Sequence, residues 1–360
     1  FGSVAAAPSG EPPGLQRAIE AKEKHVNVLL ETPGIVAVGV GHNGAGNPSV
    51  IVFTETRGVR GIPAFLDGVP VISQYSGPFY ASPKPEGKVK PPKVVDTVDP
   101  TARFERPVPI GVSTGHPDIT AGTIGARVVD NNNNVYALSN NHVYANSNNA
   151  TIGDVVIQPG TVDKGTLADD GIGTLSCFVP IAFNGTANTV DAAIALTSAE
   201  NLSNSTPSDG YGVPESSTAP ATINLRVMKY GRTTGQTSGR VYALNASVEV
   251  NYGTDKEGNP MIALFNGQII VTPGRFSAGG DSGSLIVDSN KNPVGLLFAG
   301  SSRYTIANPI QTVLNELSHV LSDESDENEV INLYIDGNQE KKKLGKAIGD
   351  RGELFLPCVI

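Results

Sequence analysis

In "LQRAIEAKEKHVNVLLE" the apolar residues Leu15, Ala18, Ile19, Val26, Leu29 and Leu30 recur at helical spacing with charges between them. Pro33-Gly34 ends the pattern, so one amphipathic helix is predicted near the start. The runs "GIVAVGVG" and "SVIVFTE" then read as strands, and "GVPVIS" as a third behind a turn centred on Asp67-Gly68. Residues 1–82 are therefore expected to form a small α+β module. From 83 to 106 the chain is rich in proline and lysine with little periodicity, the composition of an extended connector.

Beyond the connector, β-type runs recur between Gly, Asn and Asp punctuation: "TIGARVVD", "NVYALS", "DVVIQPG", "AAIAL", "NLRVMKYG", "SGRVYAL", "GQIIVT", "SLIV" and "VGLLFAG". Short strands without intervening helices argue for an all-β barrel or sandwich over a parallel α/β sheet. Ile310, Val313, Leu314, Leu317, Val320 and Leu321 predict one closing helix. The rest, 323–360, is an acidic then lysine-rich tail in which "VINLYIDG" is expected to form a strand.

Composition narrows the function classes. The formal charge of −9 and the lack of a sustained basic block argue against nucleic acid as a partner. No run of 18 apolar residues exists, so no membrane span is predicted. Only Cys177 and Cys358 are present, too few for a disulfide framework. The chain starts at Phe1, a leader could precede it, and a cytoplasmic location is expected slightly ahead of a secreted one. No metal or cofactor is implied, and oligomeric state stays open.

Two nucleotide motifs fail on context. "GVGHNG", residues 39–44, fits G-x-G-x-x-G, but a second strand follows where a phosphate-binding helix is required, so a hairpin loop is expected. "GRFSAGGD" has phosphate-loop glycine spacing with Asp281 in place of the lysine, and a carboxylate there repels phosphate. Ser284 also stands where an α/β-hydrolase elbow needs glycine.

What remains is Gly-Asp-Ser-Gly around Ser282. Flanking glycines let backbone approach a substrate carbonyl, and alone this loop reads equally as a nucleophile or a β-turn. A hydroxyl nucleophile needs a base, and five histidines are available. His25 and His319 lie in helical patterns, His42 in a hairpin loop and His116 beside Pro117; His142, in "VYALSNNHVYA", would project from a strand end. For the orienting carboxylate, Asp191 in "NTVDAAIAL" and Asp154 in "IGDVVIQ" are equally placed on propensity.

Together "LSNNHV", "VDAAIA" and "GGDSGS" resemble the three catalytic blocks of the trypsin-like, chymotrypsin-fold serine peptidases, most of all bacterial members without disulfides. "KYGRTTGQTSGRV", "VGLLFAGSS" and "IANPI" extend the likeness over residues 107–322. The resemblance implies a mainly β, two-barrel catalytic domain with a C-terminal helix. It implies Ser282 as nucleophile, His142 as general base, Asp191 as orienting acid, and the amides of Gly280 and Ser282 as oxyanion hole. Phe298, Ala299 and Gly300 would line the edge that takes a polypeptide substrate as an added strand. Phe276, six residues before Ser282, would face the specificity pocket and favour small or apolar residues before the cut.

The chain departs from the pattern in its start. "DITAGTIGARVVD" replaces the Ile-Val-Gly-Gly terminus whose freed amine pairs with the aspartate beside the serine, so Asp281 needs another partner. The expected activity is a serine endopeptidase. Its rivals are an esterase with the same triad and a latent or scaffold protein whose triad the N-terminal extension holds inactive. A further alternative is that residues 1–82 are a propeptide, cut within the connector.

Overall fold

The computed structural model describes residues 14–81, 97–323 and 330–339. The first segment holds α1 (Leu15–Leu30), β1 (Ile35–His42), β2 (Pro48–Thr54), β3 (Phe65–Leu66), β4 (Val69–Tyr75) and β5 (Phe79–Tyr80). Helix α1 buries Leu15, Ala18, Ala21, Val26 and Leu29 against Val38 and Val40 of β1 and Val50 and Val52 of β2. Asp67 and Gly68 both take positive φ, making the tight turn from β3 to β4 that the Asp-Gly pair predicts. The G-x-G-x-x-G stretch is the end of β1 and its hairpin into β2. Its glycines serve close packing: a Cβ at Gly41 would meet the Tyr242 carbonyl oxygen at 2.8 Å.

The middle of the chain forms β6 (Ser113–Thr114), β7 (Gly122–Thr123), β8 (Ala126–Asp130), β9 (Val135–Ser139), α2 (Asn141–Tyr144), β10 (Val155–Ile157), β11 (Gly171–Phe178) and β12 (Ala193–Thr197). Next come β13 (Arg226–Gly231), β14 (Gly235–Thr254), β15 (Pro260–Thr272), β16 (Leu285–Asp288), β17 (Pro293–Gly300), β18 (Thr305–Pro309), α3 (Ile310–Asp323) and β19 (Leu333–Ile335). The protein is mainly β, as its runs of short strands predict, and α3 closes the series.

Two sheets face each other across the site. One has the order β10-β11-β12-β9-β8-β19, and the ribbon β6–β7 joins its β10 edge through a bridge from Gly115 to Ile157. In the other, β13-β16-β17-β18-β15-β14 run antiparallel and the β13–β14 pairing closes them into a ring. Closure leaves no free edge within the ring, and Val227, Val241, Val271, Phe276, Ile286 and Leu297 fill it. Helix α3 buries Ile310, Val313, Leu314 and Leu317 against the core shared with Leu138, Ile194 and Leu296.

β14 and β15 run far past the ring, and their overhang is where the first segment attaches. Ala37 and Val38 of β1 pair with Val248 and Ser247 of β14, so the α1 module's sheet continues the ring's. β5 then lies parallel to β14, Phe79 opposite Val250, and antiparallel to β17, Tyr80 opposite Gly300.

Part of the expected connector is packed. Arg103 pairs with Asp170 at 2.6 Å, and the Phe104 N–H donates to Gln158 Oε1. Residues 83–96 of it lie outside the described residues, as do residue 82, the lysine-rich tail and Cys358. The tail's expected strand is β19, paired with β8. Among the described residues no helix is long and apolar enough to cross a membrane.

Candidate active site

His142 does not sit at the strand end. The chain leaves β9, passes Asn140 in extended conformation and turns into α2, placing His142 in that short helix. Buried polar groups need partners, and the side-chain amide N–H groups of "SNNH" find them, whereas Asn140 Oδ1 has none among the described residues. Asn140 Nδ2 donates to the Asp191 carbonyl and Asn141 Nδ2 to that of Val179, while Ser139 Oγ donates to the Thr123 carbonyl. The Asn140 bond pins the start of α2 to the segment before β12, which carries Asp191.

Asp191 is fully buried. Its Oδ2 lies 2.6 Å from His142 Nδ1 and its Oδ1 accepts the His142 backbone N–H at 3.2 Å. A carboxylate is only an acceptor, so Nδ1 is the nitrogen that donates to it, and Nε2 is the one left for other partners. His142 Nε2 is buried and has no hydrogen-bond partner among the described residues. Tyr252 adds a further bond, its hydroxyl donating to Asp191 Oδ2 at 2.8 Å. Burial and the Asp191 charge hold the Tyr252 hydroxyl well above its usual pKa, so it stays protonated. Asp154, equal to Asp191 on propensity, instead faces His116 at 3.2 Å. His25 and His319 pair with Asp67 and Asp323.

The loop before β16 turns its carbonyls inward. Thr233 Oγ1 donates to the Gly279 carbonyl, Thr123 Oγ1 to Gly280, Ser284 Oγ to Asp281, and the Thr123 N–H to Ser282. With those carbonyls held, the N–H groups of Gly280 and Ser282 have no hydrogen-bond partner among the described residues. Gly280 has φ +95, and a Cβ there would come within 2.5 Å of Thr233 Oγ1. Gly283 has the same φ, and its Cβ would strike the Thr123 carbonyl oxygen and Ser139 Oγ. Both glycines flanking Ser282 are thus required by close approach.

Asp281 is held from below, by a partner that the sequence did not suggest. Its oxygens accept the N–H groups of Ala278, Thr233 and Thr234 and the Thr234 hydroxyl. Lys229 Nζ, fully buried, lies 3.4 Å from Asp281 Oδ2 and bonds to Thr234 Oγ1 and the Gly235 carbonyl. Burial pushes the Lys229 pKa below its usual value, and Asp281 opposes that shift.

Phe276 does not face the cleft. Its ring is fully buried in the ring-sheet core, with the Lys229 ammonium 5.9 Å from its centroid, because the 3-10 turn Gly274–Phe276 points it inward against Gly239. The following residue is nearer the β17 edge: Ser277 Oγ and Thr305 Oγ1 share a 2.6 Å hydrogen bond, and a Cβ at Gly300 would lie 3.7 Å from Ser277 Oγ. Phe298 and Ala299 are buried on β17, and only the Phe298 carbonyl reaches Ser282, at 3.5 Å.

The cleft is occupied by the chain itself. Ser282 Oγ donates to the Ala81 carbonyl at 2.9 Å, and the Ala81 N–H donates to the Asn251 carbonyl at 3.1 Å. The segment Phe79–Ala81 thus runs between β14 and β17 with a carbonyl on the serine hydroxyl.

No protein-family model matches the chain, and no curated protein matches it. Solved structures do. A glutamic acid-specific serine protease that uses a histidine triad in substrate binding aligns with 58% of this chain and 97% of its own, at 21% identity and a TM-score of 0.41. A Nocardiopsis protease aligns with 58% of this chain and 96% of its own, at 18% identity and a TM-score of 0.40. A Cellulomonas bogoriensis chymotrypsin covers 58% and 95%, at 21% identity and a TM-score of 0.38.

Proposed function

We propose that the chain is a serine endopeptidase whose cleft is held closed by its own residues 79–81. The observation that carries this reading is the strand in the cleft. β5 adds to β17 by main-chain pairing, as an extended polypeptide would, and its Ala81 carbonyl oxygen takes the Ser282 hydroxyl at 2.9 Å.

In the working cycle, Ser282 Oγ attacks a substrate carbonyl carbon while its proton passes to His142 Nε2. Asp191 holds the imidazole in the tautomer that can accept it and stabilises the imidazolium. The N–H groups of Gly280 and Ser282 hold the tetrahedral oxyanion. His142 then gives the proton to the leaving amine as the C–N bond breaks. Water, deprotonated by His142, hydrolyses the acyl-enzyme and frees Ser282. In the closed state Ser282 spends its hydroxyl on Ala81 and His142 Nε2 stands unpartnered, so attack on an outside substrate waits for β5 to leave.

Ser277 and Thr305 beside Gly300 make the flank of the pocket polar and uncharged. This favours small or hydroxyl-bearing residues before the cut. The esterase alternative shares the triad but has no use for an edge that pairs with a peptide backbone. Turnover of a casein-like protein against a simple alkyl ester, with Ser282→Ala as control, separates the two. Ser282-dependent cleavage of protein supports the peptidase, and ester turnover with no protein cleavage after β5 is displaced refutes it.

A further inference from the structure

We propose that Tyr252 is a positioning residue of the hydrolytic site, its hydroxyl fixing the Asp191 carboxylate against the rest of the protein. This rests on the reading of His142, Asp191 and Ser282 as that site. Among the described residues the carboxylate takes three hydrogen bonds, two of them from His142 itself, through its N–H and its Nδ1. One ties the carboxylate to the imidazole and the other to the backbone of α2, so both hold it from the same short helix.

The third bond comes from elsewhere in the fold. Tyr252 stands on the overhang of β14, in the ring sheet, whereas His142 and Asp191 flank strands of the other sheet. The bond crosses between the two sheets at the point where their side chains must cooperate. The Tyr252 ring is itself fixed, edge-on to Phe183 at 5.3 Å and stacked near Phe265 at 6.3 Å. It also meets the His142 imidazole edge-on at 5.9 Å, so it limits tilting of the base as well as rotation of the acid. The neighbouring Asn251 carbonyl accepts the Ala81 N–H, so one stretch of β14 borders both the catalytic acid and the strand filling the cleft.

A packing role and a positioning role separate in Tyr252→Phe, which keeps the ring and removes only the hydroxyl. The assay uses the full chain carrying Phe79→Ala, which removes the buried anchor of β5, and a small peptide ester, comparing this parent with the same chain bearing Tyr252→Phe, Tyr252→Leu or Ser282→Ala for kcat, KM and melting temperature. Tyr252→Phe is expected to melt with the parent and keep its KM while kcat falls about tenfold, the scale of one hydrogen bond to a charged group. Tyr252→Leu is expected to lose kcat and melting temperature together. Unchanged kcat in Tyr252→Phe, or a change in KM alone, overturns the proposal. If the Phe79→Ala parent shows no Ser282-dependent turnover, the reading of the site falls and this proposal with it. The labelling rate of Ser282 by a small fluorophosphonate gives a second readout of the same step and should fall in parallel with kcat.

Discussion

Phe79→Ala should open the cleft. The Phe79 side chain is 1% exposed and packs edge-on to Phe53 at 6.4 Å, in a core that includes Phe265 and Phe298. The rest of β5 is held by short ladders to β14 and β17 and by two hydrogen bonds at Ala81. Truncating a buried phenylalanine costs about 3–5 kcal/mol where the side chain is in place. Once β5 has left the cleft, Phe79 has left its pocket too, so the open state does not bear that cost. The closed-to-open equilibrium therefore shifts by about 3 kcal/mol or more, about a hundredfold in open fraction. The assay is the rate of covalent labelling of Ser282 by a small fluorophosphonate on the full chain, followed by intact mass, in wild type and Phe79→Ala. Labelling should accelerate by about two orders of magnitude, until the open state is fully populated. An unchanged rate, with the variant folded by circular dichroism, would refute the claim that β5 gates the serine.

Lys229→Met should be strongly destabilising, by about 3–5 kcal/mol, because it leaves Asp281 buried without its counter-charge; a melting temperature equal to wild type would contradict this pairing. The Arg103 guanidinium holds the Asp170 carboxyl below its usual 3.8. The folded pKa is depressed, so the pair's contribution is complete above the unfolded value and is lost as pH falls through the folded one. Arg103→Met should accordingly melt below wild type near neutral pH, and the difference should shrink as pH drops below 3.8; a gap independent of pH would count against it.

Much of this was legible in the chain, for definable reasons. α1, α3 and the Asp67-Gly68 turn follow from short-range rules, periodicity in the helices and positive φ in the turn. The His142–Asp191 pairing emerged from three blocks in order, and the structure brings those two side chains together at 2.6 Å. Ser282 is presented by the expected glycine-rich loop, but its hydroxyl bonds to Ala81.

What was not legible depends on distant chain. Phe276 reads as a pocket residue from its offset to Ser282, yet the 3-10 turn at Gly274–Phe276 rotates it into the core, a choice set by Gly239 across the sheet. Tyr252 is 61 positions from Asp191, and nothing local to "VEVNYG" indicates a bond to it. The length of β14 was hidden because its pairing with β15 shifts register four times, and Asn245 and Gly267 take positive φ. The run "SGRVYAL" covers only the ring half of β14, and "GQIIVT" only that of β15. Lys229 could have been suspected as a lysine inside an apolar strand, "RVMKYG", where a charge needs a buried partner.

The central claim is that Ser282 cuts polypeptides in a cleft that β5 ordinarily fills. Its most direct test is peptide-library cleavage by full-length Phe79→Ala, with the same chain carrying Ser282→Ala as control. The account predicts cleavage after small or hydroxyl-bearing residues that disappears in the control. No cleavage by the opened chain, or cleavage that survives the loss of Ser282, would contradict it.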